Sequence, residues 1–181
     1  MGAGRVLCVG APEQPRLELA RKFGAEATVD IERYQTADAR IARVRELVGE
    51  FGADLVMDCS GHPSAGPEGI EFLRDGGTYV EMGQFTDAGA ITTSWHRICA
   101  KDINVLGSWA FTGNDLPLGV DMLYRGQAKY SWFDMQTLYP FSEEGTAGAV
   151  ADAIAMKTVK STIVPFPELI GGPTSSIGSP H

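Results

Sequence analysis

Basic charge is scarce in this sequence. Lys and Arg total 15 against 23 Asp and Glu, a formal net charge of −8. Nucleic acid demands clustered Lys and Arg against its phosphates, so a general affinity for DNA or RNA is excluded. A single anionic cofactor is not, because it needs only a few local donors. Long apolar runs are missing too, and no stretch reaches the length that spans a bilayer. The basic-then-apolar opening of a signal peptide is absent. Cysteine is limited to Cys8, Cys59 and Cys99. They are odd in number, far apart and form no CxxC pair, so neither a disulfide framework nor a zinc knuckle is implied. A reducing, cytoplasmic setting fits this usage.

The chain of 181 residues is 44% hydrophobic and 21% charged, enough for one domain with a real core. Val6-Leu7-Cys8-Val9, ending at Gly10-Ala11-Pro12, reads as a buried parallel strand. A short amphipathic helix over 15–23 follows and is stopped by Gly24. Residues 27–30 give a second strand, and 36–50 a helix with Ile41, Val44, Leu47 and Val48 at helical spacing. A third strand over 54–59 ends at Ser60-Gly61-His62-Pro63. A helix over 68–73 turns at Asp75-Gly76-Gly77 into a strand over 78–82, closed by Gly83. Beyond the polar loop 84–90 lie a helix over 95–101, a strand over 103–109 and a helix over 116–124. A strand over 135–139 leads to Ser142, the predicted N-cap of a helix reaching about residue 156. A last strand covers 160–166. The Gly-, Pro- and Ser-rich end, 171–181, has little to bury and reads as disordered.

Strands alternating with helices, several of the strands stopped by glycine, form the pattern of an α/β doubly wound parallel sheet. Ligands of such sheets bind outside the carboxyl ends of the strands. Gly10, Gly61 and Gly83 line that rim in this reading. Glycine there admits a ligand close to the backbone, or simply satisfies a tight turn.

The ordered segments resemble the C-terminal half of the medium-chain, zinc-type alcohol dehydrogenases. Arg5-Val6-Leu7-Cys8-Val9-Gly10 and the run from Arg16 to Asp30 look like that family's second strand, next helix and third strand. The run from Gly52 to Gly61 looks like its fourth strand. Leu73-Arg74-Asp75-Gly76-Gly77-Thr78-Tyr79-Val80-Glu81-Met82-Gly83 looks like its fifth, and Lys101-Asp102-Ile103-Asn104-Val105-Leu106-Gly107-Ser108 its sixth. Tyr139-Pro140-Phe141-Ser142 and the run from Lys157 to Pro165 look like the return segment. Residues 1–166 are therefore expected to form a partial NAD(P)-binding Rossmann-like domain with its return segment, and 167–181 a disordered tail.

The resemblance implies hydride transfer between an alcohol and nicotinamide, the cofactor doing the chemistry while the protein binds and orients it. It also implies what is missing. The family's first strand and its GxGxxG turn, which seats a pyrophosphate on a helix N-terminus, would precede Met1. Gly2-Ala3-Gly4 is not that motif. The family's zinc ligands and proton relay belong to an N-terminal domain, and no Cys, His or Glu group here has the spacing to replace them. In the order 3-2-1-4-5-6 the first strand is central, so its neighbours should face a gap about 4.8 Å wide on each side. The expectation is an incomplete, truncated Rossmann-like sheet lacking its first strand, without catalytic or metal residues and inactive alone. Alternatives are a fragment of a zinc-free quinone or enoyl reductase, or a non-catalytic dimerisation or regulatory module.

Gly10 or Ala11 stands where the family carries an acidic residue for the adenosine ribose. With no carboxylate there and Arg16 close by, the choice between NAD and NADP leans toward NADP. Cys59, Ser60 and Gly61 match a backbone region beside the riboses; Met82, Gly83 and Gln84, with Ser108 and Trp109, match the surroundings of the nicotinamide. Lys160 matches a basic position at the pyrophosphate. For Arg16, Lys160 and Trp109 the competing readings are a solvated arginine, a lone surface lysine and plain packing. Asp54 and Asp58, at the two ends of one strand, read as structural, His62 as a turn residue and His96 as a helix surface residue. The cysteines read as core or near-core residues. The family joins two subunits along its sixth strand, so a homodimer through residues 104–109 is expected, with a missing N-terminal segment in trans as a further possible partner.

Overall fold

The computed structural model describes residues 3–166, together with Glu168 and Ile170; the expected tail at 171–181 lies outside them. Seven strands and six helices alternate: β1 Leu7–Gly10, α1 Glu18–Lys22, β2 Ala27–Asp30, α2 Ala37–Val48, β3 Ala53–Asp58, α3 Ala65–Phe72, β4 Leu73–Glu81, α4 Trp95–Ala100, β5 Asn104–Gly107, α5 Asp115–Gly126, β6 Gln136–Pro140, α6 Glu143–Ile154 and β7 Lys160–Val164. Among the described residues no helix is long and apolar enough to cross a membrane.

Every strand pairing is parallel. The strands form three sheets, β1-β2, β3-β4-β5 and β6-β7. Among the described residues β1 pairs only with β2, and β3 only with β4. This is the incomplete Rossmann-like arrangement expected from the sequence, with a break between its second and fourth family strands. What ties the two halves together is side-chain packing. Val29 of β2, Val44 of α2 and Phe72 of α3 form one buried cluster, and Val9 of β1 and Val56 of β3 both pack against it. Val29 is fully buried; burial of such a side chain contributes about 1.5–3 kcal/mol. A second cluster of Ile70, Leu73, Tyr79 and Ile103 lies under the three-stranded sheet.

Local chemistry explains the element ends. The Thr36 hydroxyl accepts the Ala39 N–H at 3.2 Å, capping α2, and Ser142 accepts the Gly145 N–H at 3.0 Å as the expected cap of α6. Gly24, at φ +98°, follows α1 in a conformation costly for other residues. Several boundaries differ from the sequence reading, α1 starting at Glu18 and β5 ending at Gly107 among them, and two have a local cause. Helix α3 begins three residues early, at Ala65, because Pro67 falls in its first turn, where a missing N–H costs nothing. Strand β4 begins at Leu73 and runs through the expected turn. Its register against β3 jumps from Ala53↔Leu73 to Leu55↔Thr78, so Arg74-Asp75-Gly76-Gly77 bulges out of the ladder.

Lys101 holds this region from beneath. Its side chain is buried, and Nζ donates to the carbonyls of Ile70 and Leu73 at 2.8 and 2.6 Å. The Ile70 carbonyl lies in the last turn of α3, which has no intrahelical donor left for it, and the Leu73 carbonyl follows at the helix cap where β4 begins. Phe23, Tyr130 and Trp132 stack with centroids 5.1–5.7 Å apart, linking α1 to the segment before β6.

Candidate functional site

The carboxyl ends of β3, β4 and β5 lie side by side. Asp58 and Glu81 are register partners at the last rungs of β3 and β4, and Glu81 faces Gly107 of β5. The ladder continues past the strands: the Met82 N–H reaches the Asp58 carbonyl at 3.2 Å, and the Ser108 N–H the Glu81 carbonyl at 2.8 Å. Cys59, Ser60 and Gly61, then Met82, Gly83 and Gln84, then Ser108 and Trp109 are thus brought to one rim. Gly10, Ala11 and Arg16 sit at the end of β1 on the neighbouring sheet, Arg16 exposed in an irregular turn over Glu13–Leu17. Lys160 opens β7 in the third sheet; its side chain is exposed and forms no hydrogen bond or ion pair among the described residues.

The rim glycines touch one another. A Cβ on Gly61, whose φ is +70°, would lie 2.7 Å from the Gly83 carbonyl oxygen; one on Gly83 would lie 2.5 Å from the Gly61 nitrogen. Loop-to-loop contact therefore accounts for glycine at both positions. A Cβ on Gly10 would meet only Leu17, at an ordinary 3.8 Å.

Two carboxylates organise these loops. One oxygen of Asp58 accepts the N–H and the hydroxyl of Ser60, both at 2.7 Å. One oxygen of Glu81 accepts the N–H groups of Gly83 and Gln84 at 2.9 and 3.0 Å. Between them stands the Tyr79 phenol, 3.3 Å from the other Asp58 oxygen and 3.2 Å from the other Glu81 oxygen. Burial, followed by the nearby charges of Asp58 and Glu81, pushes the Tyr79 pKa far up, so the phenol stays protonated. Asp58 thus ties the Ser60 loop to the end of β3. Asp54, at the far end of the same strand, pairs with Arg74 at 2.6 Å in solvent.

The remaining titratable groups do less. His62 Nδ1 lies 2.8 Å from the Ser64 hydroxyl in an exposed turn. Two of the cysteines depart from the core or near-core placement expected of them: Cys8 is half-buried, but Cys59 and Cys99 are exposed. Burial first, and then Cys59, pushes up the Cys8 thiol, which makes it a poor nucleophile at neutral pH.

Sequence reasoning missed Tyr79 and Glu81. Their signal was present in the alternation of β4, which places both side chains on one face, but the partner Asp58 comes from another strand.

Among the described residues no group of three or more His, Cys, Asp or Glu could hold a metal ion. The chain's own residues do not fit a zinc centre. The N–H groups of Ser60, Gly83 and Gln84 are already taken by Asp58 and Glu81 and offer little to a phosphate.

Comparison with known proteins agrees with this architecture. A family model described as zinc-binding dehydrogenase matches residues 1–125. A probable D-xylulose reductase A of Emericella nidulans is 32% identical over 126 residues, which is 70% of this chain and 34% of that protein. An erythritol/L-threitol dehydrogenase of Mycolicibacterium smegmatis is 39% identical over 94 residues, 51% of this chain and 24% of that protein. The crystal structure of an alcohol dehydrogenase from Thermotoga maritima shares the fold at a TM-score of 0.76 and 23% identity, covering 91% of this chain and 44% of that one. The chain spans about a third of the length of the curated relatives it matches. With parallel sheets of the right order and a family match over residues 1–125 of 181, the chain belongs to the zinc-binding dehydrogenase family.

Proposed function

We propose that this chain is the cofactor-binding portion of an NAD(P)-dependent alcohol or polyol dehydrogenase and is inactive alone. The observation that carries this reading is the shared rim of β3, β4 and β5, where Gly61 and Gly83 touch and Ser108 follows on the next strand end, bonded to the Glu81 carbonyl. The polyol class is supported by the xylulose and erythritol relatives. Nicotinamide, when bound, accepts or gives the hydride. The chain's part is to bind and orient: the rim takes the sugar portions, and Met82, Gly83, Gln84, Ser108 and Trp109 shape the ring's surroundings. A preference for NADP is supported at the end of β1, where Gly10 and Ala11 offer no carboxylate and Arg16 is exposed.

Two partners complete the reading. Since β1 and β3 do not pair with each other, the space between the sheets suits a further parallel strand, supplied by a segment in trans. A second copy of the chain pairs along β5, whose four residues are all exposed.

Thermal unfolding of the purified chain, alone and with NADH or NADPH, tests the cofactor reading. A ligand bound only to the folded state stabilises it by about 2.7 kcal/mol at a hundredfold excess over Kd. An upward shift with NADPH and a smaller one with NADH is the expected result. A sharp transition that neither cofactor moves would overturn cofactor binding by the chain alone.

A further inference from the structure

Each rim loop is tied to its own strand by a carboxylate, but Tyr79 belongs to both ties. Tyr79 is only 3% exposed. Helix α3 makes room for it with a bare backbone: a Cβ on Gly69 would lie 2.6 Å from the Tyr79 ring. The ring is thus fixed against α3, and its hydroxyl is held between Asp58, 3.3 Å away, and Glu81, 3.2 Å away. A phenol has one proton and the carboxylates are acceptors. Two contacts of this length are those of one donor divided between two acceptors. Asp58 carries the Ser60 loop on its other oxygen, and Glu81 the Gly83-Gln84 loop. The backbones of those loops meet at Gly61 and Gly83 with no space between them.

We propose that Tyr79 is a positioning residue that bridges Asp58 and Glu81, locks the Ser60-Gly61 and Gly83-Gln84 loops into one unit, and so sets the shape of the rim. Its consequence for cofactor affinity rests on the function proposed above; the coupling of the loops does not. The hydroxyl touches neither loop directly. Removing it leaves two carboxylates facing each other without a shared proton, and each turns from its loop toward solvent.

Amide hydrogen exchange of the full chain, followed by NMR, tests this. Tyr79→Phe is expected to speed exchange about tenfold at Ser60 and at Gly83 and Gln84, the scale of one lost hydrogen bond. Amides of β6 and β7, in another sheet, serve as the reference and should not change. Glu81→Ala should speed Ser60 as well as Gly83, although Glu81 does not touch Ser60. Glu81→Gln, whose amide oxygen still accepts the loop N–H groups while its NH2 donates to the phenol oxygen and leaves the phenol proton to Asp58, should restore slow exchange. The Glu81 variants stand in should Tyr79→Phe fail to fold. Unchanged exchange at either loop in Tyr79→Phe, or a Glu81→Ala effect confined to Gly83 and Gln84, would overturn the proposal. Cofactor titration of the same variants separates the two readings. A chain with no affinity for NADH or NADPH fails the proposed function and leaves the loop coupling to be decided by exchange. A chain that binds should lose affinity in Tyr79→Phe and regain it in Glu81→Gln relative to Glu81→Ala.

Discussion

Arg40 grips Glu68 with two parallel hydrogen bonds, Nε to Oε1 and Nη2 to Oε2, each 2.6 Å long. The side chains are only 14% and 8% exposed, and a third guanidinium bond goes to the Tyr34 carbonyl at 2.9 Å. This pair fastens α2 to α3 across the Val44 and Phe72 cluster. It therefore fastens the helix after β2 to the helix after β3, on the line where the sheets do not pair. Removing one partner strands a buried charge. Glu68→Leu is expected to destabilise the chain by about 3 kcal/mol, and Arg40→Met with Glu68→Leu by much less, since replacing both partners removes the stranded charge. Urea unfolding midpoints of the single and double variants measure the difference. Equal losses in single and double variants would show that packing, not charge, joins the helices.

Tyr79 makes a second prediction, about alkaline pH. Burial and two carboxylates raise its pKa in the folded chain, whereas an unfolded tyrosine titrates near about 10. Above that pH the unfolded chain releases a proton that the folded chain retains. Stability therefore falls as pH rises beyond about 10 and is unaffected by this group below it. Tyr79→Phe should be less stable than the parent at pH 8 and should lose less on going to pH 11. Denaturant titrations at those two pH values check it; parallel losses in both proteins would contradict it.

Glu71 behaves in the opposite sense. Arg97 of α4 binds it through two hydrogen bonds of 2.8 and 2.6 Å, and Arg45 of α2 lies 3.7 Å away. The hydrogen bonds from Arg97 hold its carboxyl below the usual range. A depressed carboxylate supplies stability above its unfolded pKa of about 4.3, and that stability is lost as pH falls below it. The pair is partly open to solvent, so the effect should be small, under about 1 kcal/mol. Glu71→Gln should flatten the acid limb of the stability profile between pH 5 and pH 3; an unchanged limb would place the acid sensitivity elsewhere.

Much of this was legible in the sequence because it is local or periodic. β2 follows from Ala27-Thr28-Val29-Asp30, α2 from the spacing of Ile41, Val44, Leu47 and Val48, and α6 from Ser142. The break between sheets follows from the ordered resemblance. What escaped depends on distant partners. A lysine is expected in water, yet Lys101 is buried because α3 ends beside it with two free carbonyls. Cys59 reads as an apolar strand residue but stands one position beyond β3, at an open rim. Asp75-Gly76-Gly77 has turn composition and in fact bulges within a strand, its Gly76 N–H bound to the Lys101 carbonyl at 2.7 Å. Composition reports conformational freedom; it does not report which neighbour uses it.

The outer edge of β5 yields the last prediction. On its inner side the strand is paired with β4 from Asn104 to Gly107. On the other side its backbone donors and acceptors have no partner strand among the described residues. Val105 and Leu106 are 48% and 54% exposed, and Trp109 and Phe111 beyond them are more open still. A flat apolar edge of this kind pairs with another strand unless charge prevents it. No Lys, Arg, Asp or Glu occurs between Asn104 and Phe111 to do so. A second copy would extend the three-stranded sheet and cover the apolar side chains in one step. Leu106→Lys puts a charge into that contact at a site where the single chain packs nothing tightly. Sedimentation should therefore show a dimer for the parent and a monomer for Leu106→Lys. The variant's monomer should unfold cooperatively, because its core clusters at Val29 and Ile70 are untouched. A dimer that survives the lysine would move the interface to another face, with the open apolar helix α5, carrying Leu116, Val120 and Tyr124, as the next surface to charge.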